Sequence, residues 1–340
     1  MRQVISVHPL FDGTWPFVAN HLHKLWPNSQ LIRLEASETR TIEHIIPYPQ
    51  TVTHLISLMA PVDATGLESF TSLKEAVIYT DPYGGQVSQE CLNLLQDKKV
   101  KIYKHSSEGY WGQSVAEFAL ALTLNALRQI PQGYHRMMSS LDPWNYEPEE
   151  GVGQAEKRGI QYCDTPHFTS GTLEGKRVRI VGAGNIGSRY ASFAHFMGAD
   201  VSIWDPYATE PNFHRSGARR EHHLDRLIKD ADIFAPMLPL TENTTGLITA
   251  KHLQGLPKGC LVVLATRANI CDFAAIKERV LKDELSLAAD VFDSEPVALD
   301  SPLLGRHNVI HTPHMAGRTK EANFSYAQML IDLFLPKQKT

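Results

Sequence analysis

One hexapeptide constrains this chain more than any other feature. Gly182-Ala183-Gly184-Asn185-Ile186-Gly187 follows the β-rich run Arg177–Val181 directly and opens the helix-patterned stretch Ser188–Met197. In that context the three glycines have separate tasks. Gly182 permits the tight turn, Gly184 lets backbone N–H groups approach a pyrophosphate, and Gly187 lets the helix pack close on the sheet. The N-terminus of the helix then stabilises the phosphate charge, with Asn185 and Ile186 in the turn. A second β-rich run, Val201–Trp204, ends in Asp205, 18 residues past Gly187, where a carboxylate can accept from the adenosine ribose. The plainer reading is a glycine turn with a capping Asp, but strand, turn, helix, second strand and acid all agree on a dinucleotide site. Asp205 would repel a 2′-phosphate, so the expected cofactor is NAD rather than NADP.

The rest of the chain extends the strand–helix rhythm. With 340 residues it has room for about two domains. Before the glycine turn, β-rich and helical runs alternate through Val4–Val7, Phe17–Trp26, Leu55–Met59, Ala76–Thr80, Val87–Leu95 and Val100–Tyr103. A long apolar helix over Val115–Arg128 follows, with an apolar face wide enough for more than one neighbour. Between Asp142 and Gly175 the periodicity gives way to Pro, Gly and acidic residues, read as a loop or arm. The rhythm resumes at Lys176 and includes Leu261–Leu264, Phe273–Leu281 and Ser286–Val291, giving a doubly wound α/β domain.

Composition narrows the partners. Lys and Arg number 33 against 37 Asp and Glu, a net charge of −4, so a phosphate backbone is not an expected partner. No apolar stretch approaches a membrane span, and Met1–Asn20 lacks the pattern of a signal or transit peptide; a cytoplasmic location is expected. Four scattered cysteines suggest reduced thiols. His21, His23 and the pair His222-His223 lack further ligands at metal spacing, so no metal is expected.

Two later segments, Asp290-Val291-Phe292-Asp293-Ser294-Glu295-Pro296 and Thr312-Pro313-His314-Met315-Ala316-Gly317, make the chain resemble the D-isomer-specific 2-hydroxyacid dehydrogenase family. Ser114-Val115-Ala116-Glu117, Leu238-Pro239-Leu240-Thr241 with Thr244, and Thr266-Arg267 agree, so the likeness runs over residues 75 to 335. The resemblance implies a Rossmann NAD domain, 113–316, inserted into a smaller flavodoxin-like α/β substrate domain made of 1–112 and a returning C-terminal helix in 317–340, with two hinges and an interdomain cleft. It also implies a homodimer formed through the cofactor domains, near 115–146. By the same resemblance Arg267 anchors the substrate, Glu295 orients a histidine and His314 is the acid/base. Pro239, Thr244, Ala265 and Gly317 would line the cofactor, and Asp290 would point at the nicotinamide carboxamide.

The chemistry supports the triad. A 2-oxo acid needs a fixed cation for its carboxylate, which the planar fork of Arg supplies. Hydride arriving at C2 requires a proton at oxygen, which an imidazolium can give. Glu295 would fix the ring tautomer and favour the charged ring.

The chain departs from the family at two places. Leu264 and Ala268-Asn269 stand where Asn and Gly are usual, and the glycine-rich substrate loop reads Thr80-Asp81-Pro82-Tyr83-Gly84-Gly85-Gln86. Pro82 removes an N–H donor. The polar Thr80 and Asp81 favour a substrate with hydroxyls of its own, such as hydroxypyruvate, a glycerate-like acid or a sugar acid, because an apolar one leaves them unpaired. Two other readings stand beside an NAD-dependent oxidoreductase acting on a 2-hydroxy or 2-oxo acid. One is an NAD-binding interaction protein like the C-terminal binding protein corepressors, which resemble this family; the other is a dehydrogenase homologue whose altered loop has abolished turnover.

Overall fold

The computed structural model describes residues 2–104, 110–141, 143, 165 and 167–334. Most of the expected arm between Asp142 and Gly175 lies outside the described residues. The chain divides into two compact units, Met1–Trp111 with Arg318–Thr340, and Gly112–Gly317.

The first unit is built on a five-stranded sheet of β1 (Arg2–Val7), β2 (Ser29–Arg33), β3 (Val52–Leu58), β4 (Glu75–Tyr79) and β5 (Lys101–Ile102). All neighbours are parallel, in the order β2-β1-β3-β4-β5, which is the flavodoxin-like order. Parallel strands are buried on both faces, so they read as near-continuous apolar runs. Ile5, Val7, Ile56, Leu58, Val77 and Tyr79 pack against the helices Val18–Leu25 and Lys320–Asp332. The alternate residues Val4, Leu55, Ala76 and Ile78 meet Ile42, Leu67, Cys91 and Leu95 on the other face.

The second unit carries seven parallel strands: β6 (Arg177–Val181), β7 (Asp200–Trp204), β8 (Arg219–Arg220), β9 (Ile233–Pro236), β10 (Leu261–Leu264), β11 (Ser286–Ala289) and β12 (Val309–His311). Their order is β12-β11-β10-β9-β6-β7-β8. It reverses between β6 and β9, and at such a switch point a crevice opens at the carboxyl ends of the strands. The helix Gly112–Arg128 packs on β10, β11, β12 and the helix Asn185–Phe196, consistent with its wide apolar face. Thr123 Oγ1 and Tyr190 OH share a buried hydrogen bond of 2.8 Å between those two helices. Two features have no counterpart in the sequence reading. The edge strand β8 is only two arginines long, and the helix Ile130–Met137 continues beyond Gln129, whose φ is +49°.

Candidate active site and cofactor cradle

The loop after β6 shows three different reasons for its glycines. Gly182 has φ +100°, and a Cβ there would lie 2.8 Å from the Met237 carbonyl oxygen. A Cβ on Gly187 would lie 2.1 Å from the carbonyl oxygen of Gly182, while one on Gly184 would point into open space. The helix Asn185–Phe196 begins at Gly184 with no side-chain cap, so its first N–H groups are donors without an intrahelical acceptor. Close packing below, open space above and uncapped donors fit a dinucleotide pyrophosphate. Asn185 packs beside Gly112 and accepts from Arg189 Nε at 2.9 Å. Ile186 follows it in the first turn.

Asp205 is tied to this turn. Its Oδ2 accepts from Ala183 N at 2.8 Å, and Oδ1 accepts from Tyr207 N at 2.8 Å and Ala208 N at 3.0 Å. The carboxylate is thus fixed beside the glycine turn and keeps acceptor capacity for ribose hydroxyls. Further along, the loop after β9 is closed on itself: Thr244 Oγ1 donates to Pro239 O and accepts from Thr241 N at 2.8 Å.

Arg267, Glu295 and His314 come together. With Leu240, Ala268, Asn269 and Phe292 among their neighbours they line one recess of about 230 Å³. Arg267 follows the buried end of β10, where Leu264 and Ala265 are almost inaccessible, and its Nη1 donates to Thr266 O at 2.7 Å. Glu295 is held by Phe292 N, which donates to Oε1 at 2.9 Å. Its Oε2 lies 2.6 Å from His314 Nδ1. An ionised carboxylate only accepts, so Nδ1 carries the proton and Nε2 is the ring atom left to exchange one. His314 has φ +51°, a strained backbone for a residue with a side chain.

Asp290 is tied to the loop around His314. The residue is 0% exposed; Oδ1 accepts from Thr312 Oγ1 at 2.6 Å and Met315 N at 3.0 Å, and Oδ2 accepts from Ala316 N at 2.9 Å. Both oxygens accept from the loop around His314, and Oδ2, with one donor, keeps acceptor capacity. Thr312 was the signal the sequence offered, standing two residues before His314 in the same motif. Gly317 closes the loop as the last residue of its unit.

Thr80 and Asp81 belong to the other unit, at the carboxyl end of β4. Here the structure corrects the argument from unpaired polar groups. Asp81 Oδ1 accepts from Tyr83 N at 2.7 Å and Gly85 N at 3.0 Å, and Thr80 Oγ1 donates to Gln86 O at 3.2 Å. The loop satisfies several of its own polar groups, while Asp81 Oδ2 makes no hydrogen bond among the described residues. Pro82 is anchored through its carbonyl, which accepts from Trp15 Nε1 at 2.9 Å.

Among the described residues no group of three His, Cys, Asp or Glu side chains could hold a metal, and no helix is long and apolar enough to cross a membrane. Cys91, Cys260 and Cys271 are buried free thiols. Burial pushes the Cys271 thiol up to about 12, which keeps it protonated and unreactive.

Known proteins resemble this chain. Residues 120–316 match the family described as "D-isomer specific 2-hydroxyacid dehydrogenase, NAD binding domain". A D-3-phosphoglycerate dehydrogenase of Archaeoglobus fulgidus is 30% identical over 220 residues, 64% of this chain and 38% of that protein. A glyoxylate/hydroxypyruvate reductase B of Enterobacter sp. (strain 638) is 29% identical over 221 residues, 65% of this chain and 63% of the relative. The chain therefore spans less than two thirds of these relatives' lengths. Among solved structures, the NAD-complexed D-isomer specific 2-hydroxyacid dehydrogenase of Lactobacillus delbrueckii ssp. bulgaricus superposes with a TM-score of 0.71 at 17% identity, covering 98% of this chain and 99% of that one, a likeness of fold. The unit Gly112–Gly317 thus contains an NAD-binding domain, and the chain belongs to the D-isomer-specific 2-hydroxyacid dehydrogenase family.

Proposed function

We propose that the protein is an NAD-dependent oxidoreductase that interconverts a 2-hydroxy acid and its 2-oxo acid. The observation that carries this reading is the 2.6 Å pair of Glu295 and His314 in one recess with Arg267. When bound, NAD(H) supplies the hydride in reduction and accepts it in oxidation. Gly182, Gly184, Gly187 and Asp205 would hold it, with Asn185, Ile186, Pro239, Thr244, Ala265 and Gly317 alongside.

Arg267 grips the substrate carboxylate and draws electron density from the adjacent carbonyl, making C2 more electrophilic. His314 Nε2 gives its proton to the carbonyl oxygen as C2 is reduced, and in the reverse direction takes the proton from the hydroxyl. Glu295 holds Nδ1, so the ring keeps its orientation and its charge is offset while the proton is in place.

The proposed substrate carries a hydroxyl, as hydroxypyruvate does. Asp81 Oδ2 supports this as an acceptor left open by its loop, and a relative named for hydroxypyruvate points the same way. The unit Met1–Trp111 with Arg318–Thr340 is the proposed substrate domain, and Thr80 and Asp81 its substrate-binding residues. A cytoplasmic homodimer completes the proposal. Ile130, Tyr134, Met137, Met138 and Leu141 are all exposed, and their spacing forms an apolar stripe suited to a second copy.

Turnover tests the assignment. His314→Ala lowers kcat on the order of 10²–10⁴-fold with NADH affinity retained, and Arg267→Ala damages both KM and kcat. Near-normal kcat in His314→Ala sinks the reading, as does no activity of the unmodified protein with any 2-oxo acid. Preference for 2-oxobutyrate over every hydroxylated compound rejects the substrate class alone.

A further inference from the structure

We infer that Asp81 is a charge filter for the substrate: its fixed carboxylate admits 2-oxo and 2-hydroxy acids whose tail is neutral and refuses those whose tail carries a second anion. The inference rests on the proposed substrate-binding role of Thr80 and Asp81, and deepens it by assigning the charge of the tail.

The loop after β4 places this carboxylate and keeps it there. Asp81 Oδ1 accepts from Tyr83 N at 2.7 Å and Gly85 N at 3.0 Å, and Thr80 N closes the loop by donating to Gly85 O at 3.0 Å. The next residue is anchored separately. The Pro82 carbonyl accepts from Trp15 Nε1 at 2.9 Å and from Tyr326 OH at 3.4 Å, and both aromatic side chains are buried in the core of the same unit. The Trp15 ring also meets the Tyr83 ring edge-on at 6.3 Å and stacks on Trp111 at 5.9 Å. Turning the Asp81 side chain away breaks its bonds to two N–H groups, and moving the loop breaks the bonds to Pro82 O. The charge therefore stays in place.

Its bonds also decide what it can receive. The N–H groups of Tyr83 and Gly85, which would form an anion-binding concavity if left open, are already taken by Oδ1. An incoming anion finds that place filled by the loop's own carboxylate. Asp81 is exposed, its Oδ2 makes no hydrogen bond among the described residues, and no Lys, Arg or His of those residues forms an ion pair with it. Such an oxygen accepts from a hydroxyl and repels a phosphate or a second carboxylate. Arg267, the cation proposed for the substrate, is engaged by the C1 carboxylate. A substrate that displaces water from Asp81 strengthens the repulsion, and a repulsive element of this kind separates ligands that share every other contact.

The test compares hydroxypyruvate with its 3-phosphate as substrates for the unmodified protein, Asp81→Asn and Asp81→Glu. Asparagine keeps an acceptor oxygen for Tyr83 N and Gly85 N and removes the charge, whereas glutamate keeps the charge on a longer side chain. The unmodified protein is expected to favour hydroxypyruvate by about 100-fold or more in kcat/KM. Asp81→Asn narrows that preference about tenfold or more, chiefly through the KM of the phosphorylated acid, and Asp81→Glu retains most of it. Raising the ionic strength from about 0.01 to 1 M weakens the preference in the two charged proteins more than in Asp81→Asn, because salt screens a charge and not a shape. Dissociation constants of glycerate and 3-phosphoglycerate for the NADH-loaded protein, read by tryptophan fluorescence, report the same ratio without turnover. Equal use of the two oxo acids by the unmodified protein, or a preference for the phosphorylated one, overturns the inference. So does a preference that Asp81→Asn leaves unchanged, which would mean that the size of the pocket sets it. Absence of turnover with any 2-oxo acid is instead a failure of the function reading, and the ratio of dissociation constants then decides the filter by itself.

Discussion

The aspartates that follow β11 and β4 both gather backbone N–H groups at the carboxyl end of a strand, yet they use them differently. Asp290 is fully buried, and its donors come from the loop after the neighbouring strand, more than twenty residues away in sequence. Asp81 is exposed, and its donors are Tyr83 and Gly85 of its own loop. One carboxylate joins distant segments in a place water does not reach, and the other closes a local turn at the surface. A buried donor deprived of its acceptor has no substitute, whereas an exposed one finds water. The two sites should therefore respond to the same substitution with different magnitudes.

Asp290→Ala is the largest expected effect. It strands a hydroxyl and two N–H groups, and at about 1–3 kcal/mol for each unsatisfied group the loss is on the order of 3 kcal/mol or more. Asp81→Ala removes a local cap and should cost about 1 kcal/mol. Urea denaturation of both variants checks the contrast. Equal losses would break it, because they would mean that solvent reaches Asp290 as freely as Asp81.

A glycine of the turn after β6 and one of the Asp81 loop show the same contrast between fixed and yielding neighbours. A Cβ at Gly187 meets the backbone carbonyl of Gly182 at 2.1 Å, and neither partner can move without opening the helix from the sheet. A Cβ at Gly85 meets the Asp81 carboxylate at 2.2 Å, the end of a side chain that can rotate away. Gly187→Ala should cost about 1–3 kcal/mol and weaken NADH binding markedly, since the glycine turn is displaced. Gly85→Ala should cost about 1 kcal/mol or less, the worth of the cap it displaces, with NADH binding unchanged. A Gly187→Ala protein that binds NADH normally would show that the fingerprint tolerates a wider helix–sheet spacing than the packing implies.

The same division explains what the sequence revealed. Leu261–Leu264 and Phe273–Leu281 have the same bounds in the sequence pattern and in the structure: the strand because a run buried on both faces must be apolar throughout, the helix because Phe273, Ile276 and Val280 recur at helical spacing. β8 is two arginines with no apolar signal, and it forms because the edge of β7 offers unpaired backbone groups to Arg219 and Arg220. In the site, the motif residues Arg267, Glu295 and His314 were legible as residue types in a fixed order. What their neighbouring carboxylates bind was not, since that depends on which loop the fold brings alongside. For Asp290 no local pattern reveals three donors on another strand's loop. For Asp81 a signal was present: an aspartate opening a Pro-Tyr-Gly-Gly turn tends to bind the backbone two residues on, which is where Tyr83 N lies.

The smallest expected effect concerns a carboxylate between these two extremes. Arg179 on β6 is buried and pairs with Asp230 at 2.7 Å and Asp200 at 3.1 Å, both carboxylates partly open to solvent. Hydrogen bonds from the Arg179 guanidinium hold Asp230 below the usual carboxylate range in spite of its partial burial. A carboxylate lowered in the folded state adds stability that is fully present above its unfolded value, near 3.9, and that fades as pH falls through the lower folded value. Solvent screening keeps this contribution small. Asp230→Asn should therefore be modestly less stable than the unmodified protein at pH 7, with the gap closing as pH falls below about 4. Urea denaturation at pH 7, 5, 4 and 3 follows that gap. A gap that stays constant to pH 3 would mean that Asp230 acts through the shape of its hydrogen bonds and not through its charge, placing it beside the locally capping Asp81 rather than with the buried ionic contacts of the NAD-binding sheet.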